Sequence, residues 1–258
     1  MLAAATEDEL CAARLALQLG LPLLPTDTDP GVCTQVSAVL ITRGRSLCLQ
    51  QTGRGAPGPV QADFGSLRLR HRRRSGNNEL LGRAVGLGKK VPLRILDATA
   101  GLGSDAFVLA DLGCELELCE REPVILELLR AGLELAAGGD DPWLASVAQR
   151  MQLRAGDAVQ IAATEMQGVD VIYLDPMFPP RTKTAAVKKE MALLQVLLAA
   201  ASDPRDADAL LQWALQQDVA RVVVKRPAKA ANLAGLAPSH SISGKAVRYD
   251  VYVKRKLV

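Results

Sequence analysis

The chain has 258 residues, 49% of them hydrophobic but only 3% aromatic, with a formal net charge of +3. That length holds one large domain, or a main domain with a smaller addition, and its core must be filled by aliphatic side chains and alanine. No run of 18 uncharged apolar residues occurs, which excludes a membrane span.

Glu7, Asp8 and Glu9 crowd the N-terminus, where a secretory signal would carry a basic region. Five cysteines show no CxxC pairing and only two histidines are present. They read as reduced thiols of a cytoplasmic protein without a metal site. Charge is segregated along the chain. Residues 64–78 hold five arginines and His71 with no acid, and residues 221–258 hold nine Lys or Arg against Asp250 alone. Residues 104–141 reverse this, with ten acids against Arg121 and Arg130. Basic segments flanking an acidic middle suggest a face for a polyanion.

In chain order, residues 7–19 have the pattern of a short helix, and Pro22, Pro25 and Pro30 then interrupt regular structure. Runs 35–42 and 46–50 read as strands split by the hairpin turn Arg43-Gly44-Arg45. A Gly/Pro-rich loop at 53–59 precedes two further strand-like runs, 60–64 and 66–69. Residues 1–75 are therefore expected to form a small, mainly β, N-terminal subdomain. The stretch Arg70-His71-Arg72-Arg73-Arg74 follows, and guanidinium forks beside a polar turn suit phosphate contacts. Residues 79–87 are helical in pattern.

From there strand-like and helical runs alternate. Strands are expected at 93–97, 115–120, 151–154, 169–175 and 219–225, with helices at 105–112, 122–137, 142–149, 158–166, 186–201 and 206–217. Such alternation means a parallel sheet covered by helices on both faces. The last segment, 239–243 and 247–254 around Gly244-Lys245, reads as a hairpin adding an antiparallel edge. Residues 76–258 thus predict a Rossmann-like α/β domain.

Its central feature is Leu93 to Phe107. A short strand ends at Asp97, a small-residue turn carries Gly101 and Gly103, and Ser104-Asp105 opens a helix. No Cβ blocks a ligand there, and unpaired N–H groups point at it. Glu120, ending the next strand, is placed to accept from ribose hydroxyls. NAD and S-adenosylmethionine both meet that description. Asp157, after the third strand, could accept from an adenine amino group, or could cap a helix.

The fourth strand separates the two cofactors. It runs apolar up to Asp175 and is followed by Pro176-Met177-Phe178-Pro179-Pro180. This resembles the Asp/Asn-Pro-Pro-Tyr/Phe motif of S-adenosylmethionine-dependent methyltransferases that act on exocyclic amino groups of bases. Such a nitrogen is a poor nucleophile, because its lone pair is delocalised into the ring. The Asp175 carboxylate and the Pro176 carbonyl can accept its two N–H bonds, and Phe178 can stack on the ring.

Five motifs carry a closer resemblance: Asp97 to Phe107, Cys119-Glu120-Arg121-x-Pro123, Tyr173 to Pro179, Val187 to Met191, and Arg221 to Pro227. In this order they resemble the bacterial RsmJ (YhiQ) family, which methylates N2 of a guanine in 16S ribosomal RNA of the small subunit. The similarity covers nearly the whole chain beyond its first ~30 residues. It implies cofactor contacts at Ser104, Asp105, Glu120, Arg121, Asp157, Ala158 and Asp175. Ser104 stands where relatives often carry Arg, and Asp157-Ala158 where they often carry two serines. Lys183, Lys188, Lys189, Lys225 and Arg226 are expected to border the crevice mouth and meet an RNA backbone, with no stable protein partner implied. The rival readings are an NAD-dependent oxidoreductase and an RNA-binding module with a vestigial pocket.

Overall fold

The computed structural model describes residues 2–6, 9–25, 27–66, 69, 78–89, 92–176 and 204–257. The basic stretch 70–74 and the helix expected at 186–201 lie outside them. In chain order the strands are β1 (Leu2–Thr6), β2 (Ala38–Arg43), β3 (Ser46–Gln51), β4 (Arg94–Asp97), β5 (Glu115–Glu120), β6 (Met151–Ala155), β7 (Val171–Leu174), β8 (Arg221–Pro227), β9 (His240–Ser243) and β10 (Val247–Val253). The helices are α1 (Glu9–Leu19), α2 (Asn78–Val85), α3 (Ser104–Asp111), α4 (Pro123–Ala137), α5 (Pro142–Ala148) and α6 (Pro204–Gln216). They fall into two compact units. One runs to Asp63 and includes Pro123–Leu135; the other takes Phe64–Glu122 with the described residues of 136–180 and 203–258.

In the first unit, β2 and β3 form the expected hairpin, with Gly44 at φ 56° and Ser46 Oγ donating to Arg43 O at 2.9 Å. Strand β1 pairs parallel to β2, Leu2 opposite Ala38. Its sequence, Leu-Ala-Ala-Ala-Thr, carries no β preference of its own; the neighbouring strand supplies the pairing. The strand expected at 60–64 is a single bridge, Val60 to Leu49, because Pro57 and Pro59 before it can donate nothing to a ladder.

The second unit is a seven-stranded sheet in the order β6-β5-β4-β7-β8-β10-β9. Strands β4 to β8 are mutually parallel, while β10 runs antiparallel to β8, and β9 to β10. The continuous apolar runs of β7 and β8 are explained by burial on both faces. Successive side chains alternate between those faces. Leu96, Ile172, Leu174, Val222 and Val224 pack with Leu211 and Ala214 of α6. Tyr173, Val223 and Lys225 have the opposite parity, and Tyr173 meets α3.

Residues 158–166, expected as one helix, form two 3-10 turns, Ala158–Gln160 and Ala163–Met166, because Ile161 is extended (φ −68°, ψ 124°) between them. The sheet's strand order reverses between β4 and β7, so a crevice opens at their carboxyl ends.

Within the first unit, a Cβ on Gly132 of α4 would collide with the Ala62 carbonyl oxygen. Close approach, not helix preference, therefore demands glycine there. Gly132→Ala is expected to destabilise the protein by about 1–3 kcal/mol, read as a lower thermal midpoint by far-ultraviolet circular dichroism. An equal or higher midpoint would show that the contact relaxes freely.

Candidate active site

The crevice is built on the turn from β4 to α3. Gly101 (φ 55°) and Gly103 (φ 72°) take the left-handed conformation that a side chain would strain, and a Cβ on Gly101 would meet only the Thr99 carbonyl oxygen, at 3.9 Å. Backbone bonds fix the turn to both neighbouring strands. Ala98 N–H donates to Tyr173 O at 3.0 Å, and Ala100 N–H donates to Cys119 O at 3.1 Å.

Four acids surround it. Asp97 is 2% exposed and accepts from Thr99 N–H at 3.1 Å. Glu120 accepts from Gly101 N–H and from Glu122 N–H, each at 2.8 Å. Burial raises the Glu120 carboxyl above its ordinary range, and those two N–H groups counter the shift. Asp105, in the first turn of α3, accepts from the buried Tyr173 hydroxyl at 2.7 Å. Asp175 follows β7, and its N–H donates to Thr99 Oγ1 at 2.6 Å.

Lys225 of β8 joins two of these acids. Its Nζ donates to Asp105 Oδ2 at 2.7 Å and to Asp175 Oδ2 at 2.6 Å. Burial works against the ammonium, but Asp175 and Asp105 outweigh it and hold the pKa above the ordinary lysine value. Burial and the nearby Asp105 carboxylate push the Tyr173 phenol well up, so it remains a donor.

The other expected residues are placed as follows. Ser104 opens α3 and is half-buried, and Ala158 is buried at the head of its 3-10 turn. Asp157 caps that turn through Val159 N–H at 3.2 Å. Arg121 grips Asp157 at 3.4 Å and Asp206 of α6 at 2.8 Å. Pro176 is buried beside Asp175. Arg226 has the opposite strand parity from Lys225; it is buried and donates to Ala231 O at 2.6 Å. Met177, Phe178, Lys183, Lys188, Lys189 and the segment from Arg70 to Arg74 lie outside the described residues. Two residues of this site were not singled out in the sequence, Thr99 and Tyr173. A hydroxyl two residues past Asp97, and a polar ring inside an apolar strand, are the signals that mark them.

The donor set decides between the two cofactors. Among the described residues four carboxyl groups meet one ammonium here, a set that suits a ligand bearing an ammonium, a sulfonium and ribose hydroxyls, as S-adenosylmethionine does. They would repel the pyrophosphate of a dinucleotide. The strand order and these strand-end acids define a Rossmann-like S-adenosylmethionine-dependent methyltransferase.

Comparison with known proteins agrees. The family model described as "Putative SAM-dependent methyltransferase" matches residues 29–254. Ribosomal RNA small subunit methyltransferase J of Pseudomonas fluorescens (strain SBW25) is 48% identical over 249 residues, covering 95% of this chain and 91% of that protein. The protein of the same name from Thioalkalivibrio sulfidiphilus is 48% identical over 246 residues, covering 94% and 92%. The crystal structure of a SAM-dependent methyltransferase from Neisseria gonorrhoeae superposes with a TM-score of 0.72 at 32% identity, covering 97% of this chain and 95% of that one. The chain belongs to the ribosomal RNA small subunit methyltransferase J family.

Burial pushes the Asp97 carboxyl up to about 8; Thr99 N–H opposes this, and Asp105, Asp175 and Glu120 add to it. With its pKa raised by folding, the native state keeps a proton that the unfolded chain releases near pH 4. Native stability from this group is therefore lost as pH rises from about 4 to about 8, with a slope approaching 1.4 kcal/mol per pH unit. Asp97→Asn is expected to flatten that fall in denaturant unfolding without cofactor. An unchanged pH dependence would mean that the native carboxyl is already ionised.

Proposed function

We propose that the protein methylates the exocyclic N2 of a guanine in 16S ribosomal RNA, with Asp175 orienting the amino nitrogen. The observation that carries this reading is the fixing of Asp175 from two sides. Thr99 holds its N–H, and Lys225 holds its carboxylate. The name shared by the curated relatives supports the substrate class.

When bound, S-adenosylmethionine supplies a methyl group already activated for transfer. Glu120 would accept from the ribose hydroxyls, and Asp97 and Asp105 would face the cationic end of the cofactor. Gly101, Gly103 and Ser104 would line its path, and Arg121, Asp157 and Ala158 the adenine side. The target guanine must leave any stack to enter. Asp175 and the Pro176 carbonyl would accept its two N–H bonds, and Phe178 would stack on the ring. A carboxylate already paired with an ammonium is a poor proton acceptor, so Asp175 orients the nitrogen and the departing proton goes to water. Holding the reactants in line supplies most of the rate.

For the RNA backbone we propose contacts at Arg70, His71, Arg72, Arg73, Arg74, Lys183, Lys188 and Lys189, on their sequence pattern. For Lys225 the geometry favours a positioning role, and Arg226 is committed to Ala231 O. An enzyme of this class works in the cytoplasm. Among the described residues no helix is long and apolar enough to cross a membrane.

The test is single-turnover transfer of labelled methyl to small ribosomal subunits lacking the modification. Asp175→Ala should lose orders of magnitude in rate, whereas Asp175→Asn keeps one acceptor oxygen and should retain partial activity. Equal loss in both would replace orientation with base catalysis, and full activity in Asp175→Ala would remove Asp175 from the site.

Lys225→Met should slow methyl transfer by roughly 10²-fold through misplacement of Asp175, with partial recovery in Lys225→Arg. Its KM for RNA and the salt dependence of that KM should hold. A raised RNA KM with a flattened salt dependence and unchanged kcat would instead place Lys225 on a phosphate.

A further inference from the structure

At the end of the sheet opposite the crevice, the start of β8 and the end of β10 border a cavity of about 520 Å³. Arg83, Lys89, Arg221, His240, Arg255 and Lys256 line it, with no carboxylate among the described lining residues. Arg221 lies four strand residues before Lys225, about 13 Å along β8, so the cavity is separate from the methyl-transfer site.

Its floor is a built feature. Arg221 is 5% exposed, and its Nη1 donates to Ala84 O at 3.3 Å. Among the described residues, nothing accepts from its Nε. A buried guanidinium N–H without an acceptor is costly, and the cost is relieved when an anion meets it. Burial lowers the guanidinium pKa with no carboxylate to offset it. Gly86 (φ 88°) follows α2, and a Cβ there would collide with a Leu257 methyl and with this guanidinium. The backbone therefore passes close against the guanidinium and Leu257. Arg83, Lys89 and Lys256 are exposed above it, while Arg255 pairs with Asp218 at 3.5 Å.

We propose that this cavity binds a phosphate oxyanion of the RNA substrate's backbone, as a second contact at the end of the sheet away from methyl transfer. The proposal rests on the reading of the protein as an RNA methyltransferase. A folded ribosomal RNA is large enough to reach both ends of one domain, and a guanidinium fork with flanking ammonium groups is the chemistry that holds phosphodiester oxygens.

The test uses the full chain carrying Arg83→Gln, Lys89→Gln and Lys256→Gln together, all at exposed positions. The KM for small subunits lacking the modification should rise about tenfold or more. The slope of log affinity against log salt should become shallower by about 2, the loss of three phosphate-facing charges. S-adenosylmethionine affinity and kcat at saturating substrate should hold. A wild type that methylates small subunits, with a variant of equal KM and equal salt slope, overturns the second contact alone. A wild type that transfers no methyl to RNA overturns the active-site reading and this proposal together. In a parallel arm, inorganic phosphate is titrated against both proteins. Phosphate raising the thermal midpoint of wild type only, with RNA KM unchanged between the two, assigns the cavity to a free anion and overturns the RNA contact.

Discussion

One ammonium holds the crevice together. Lys225 reaches from β8 to Asp175 after β7 and to Asp105 in α3, so three separate elements meet at one charge. Its positive charge offsets the mutual repulsion of Asp105 and Asp175, which approach each other at the end of the sheet beside Asp97 and Glu120. A buried ion pair of this kind is seldom a net source of stability, because desolvation opposes the Coulombic gain. Its value lies in geometry. It sets where the Asp175 carboxylate points, and it binds the start of α3 to the sheet through the same oxygen that takes the Tyr173 hydroxyl.

Thr99 does the complementary work on the backbone. Its N–H reaches back to Asp97, and its hydroxyl oxygen receives the N–H of Asp175. The end of β4 and the turn after β7 are thereby locked across the point where the strand order reverses. The glycine turn then has little freedom, since Ala98 and Ala100 are bonded to the strands on either side. A site assembled from strand ends gains its rigidity from the sheet, and rigidity is what methyl transfer to a weak nucleophile requires.

Much of this could be read from residues alone. Alternating runs ending in Asp97, Glu120 and Asp175 mark the parallel sheet and its crevice, and Gly101-x-Gly103 marks the turn. The C-terminal hairpin showed in its two β-rich runs around Gly244. Pairing register was not legible, and it governs the rest. Leu174 stands opposite Val224, so the next residues along, Asp175 and Lys225, come together while Arg226 turns to the other face. Neighbouring basic residues that look equivalent in sequence thus part company. Strand β1 was hidden for a related reason, because its pairing comes from β2 and not from its own alanines. Ile161 split the expected helix over 158–166 through an extended conformation that no proline or glycine announces.

The scarcity of aromatic residues has an optical consequence. The chain has two tryptophans, and both Trp143 and Trp213 belong to the second unit. Trp143 lies edge-on to Phe107, with centroids 5.7 Å apart, and its indole N–H donates to Asp111 at 2.7 Å. Trp213 of α6 packs against the aliphatic core of the sheet. Tryptophan emission therefore arises entirely within the second unit, whereas a backbone melt also reads the β1–β3 sheet of the first. A fluorescence melt and a backbone melt of this protein that disagree would be reporting the separate fates of its two units.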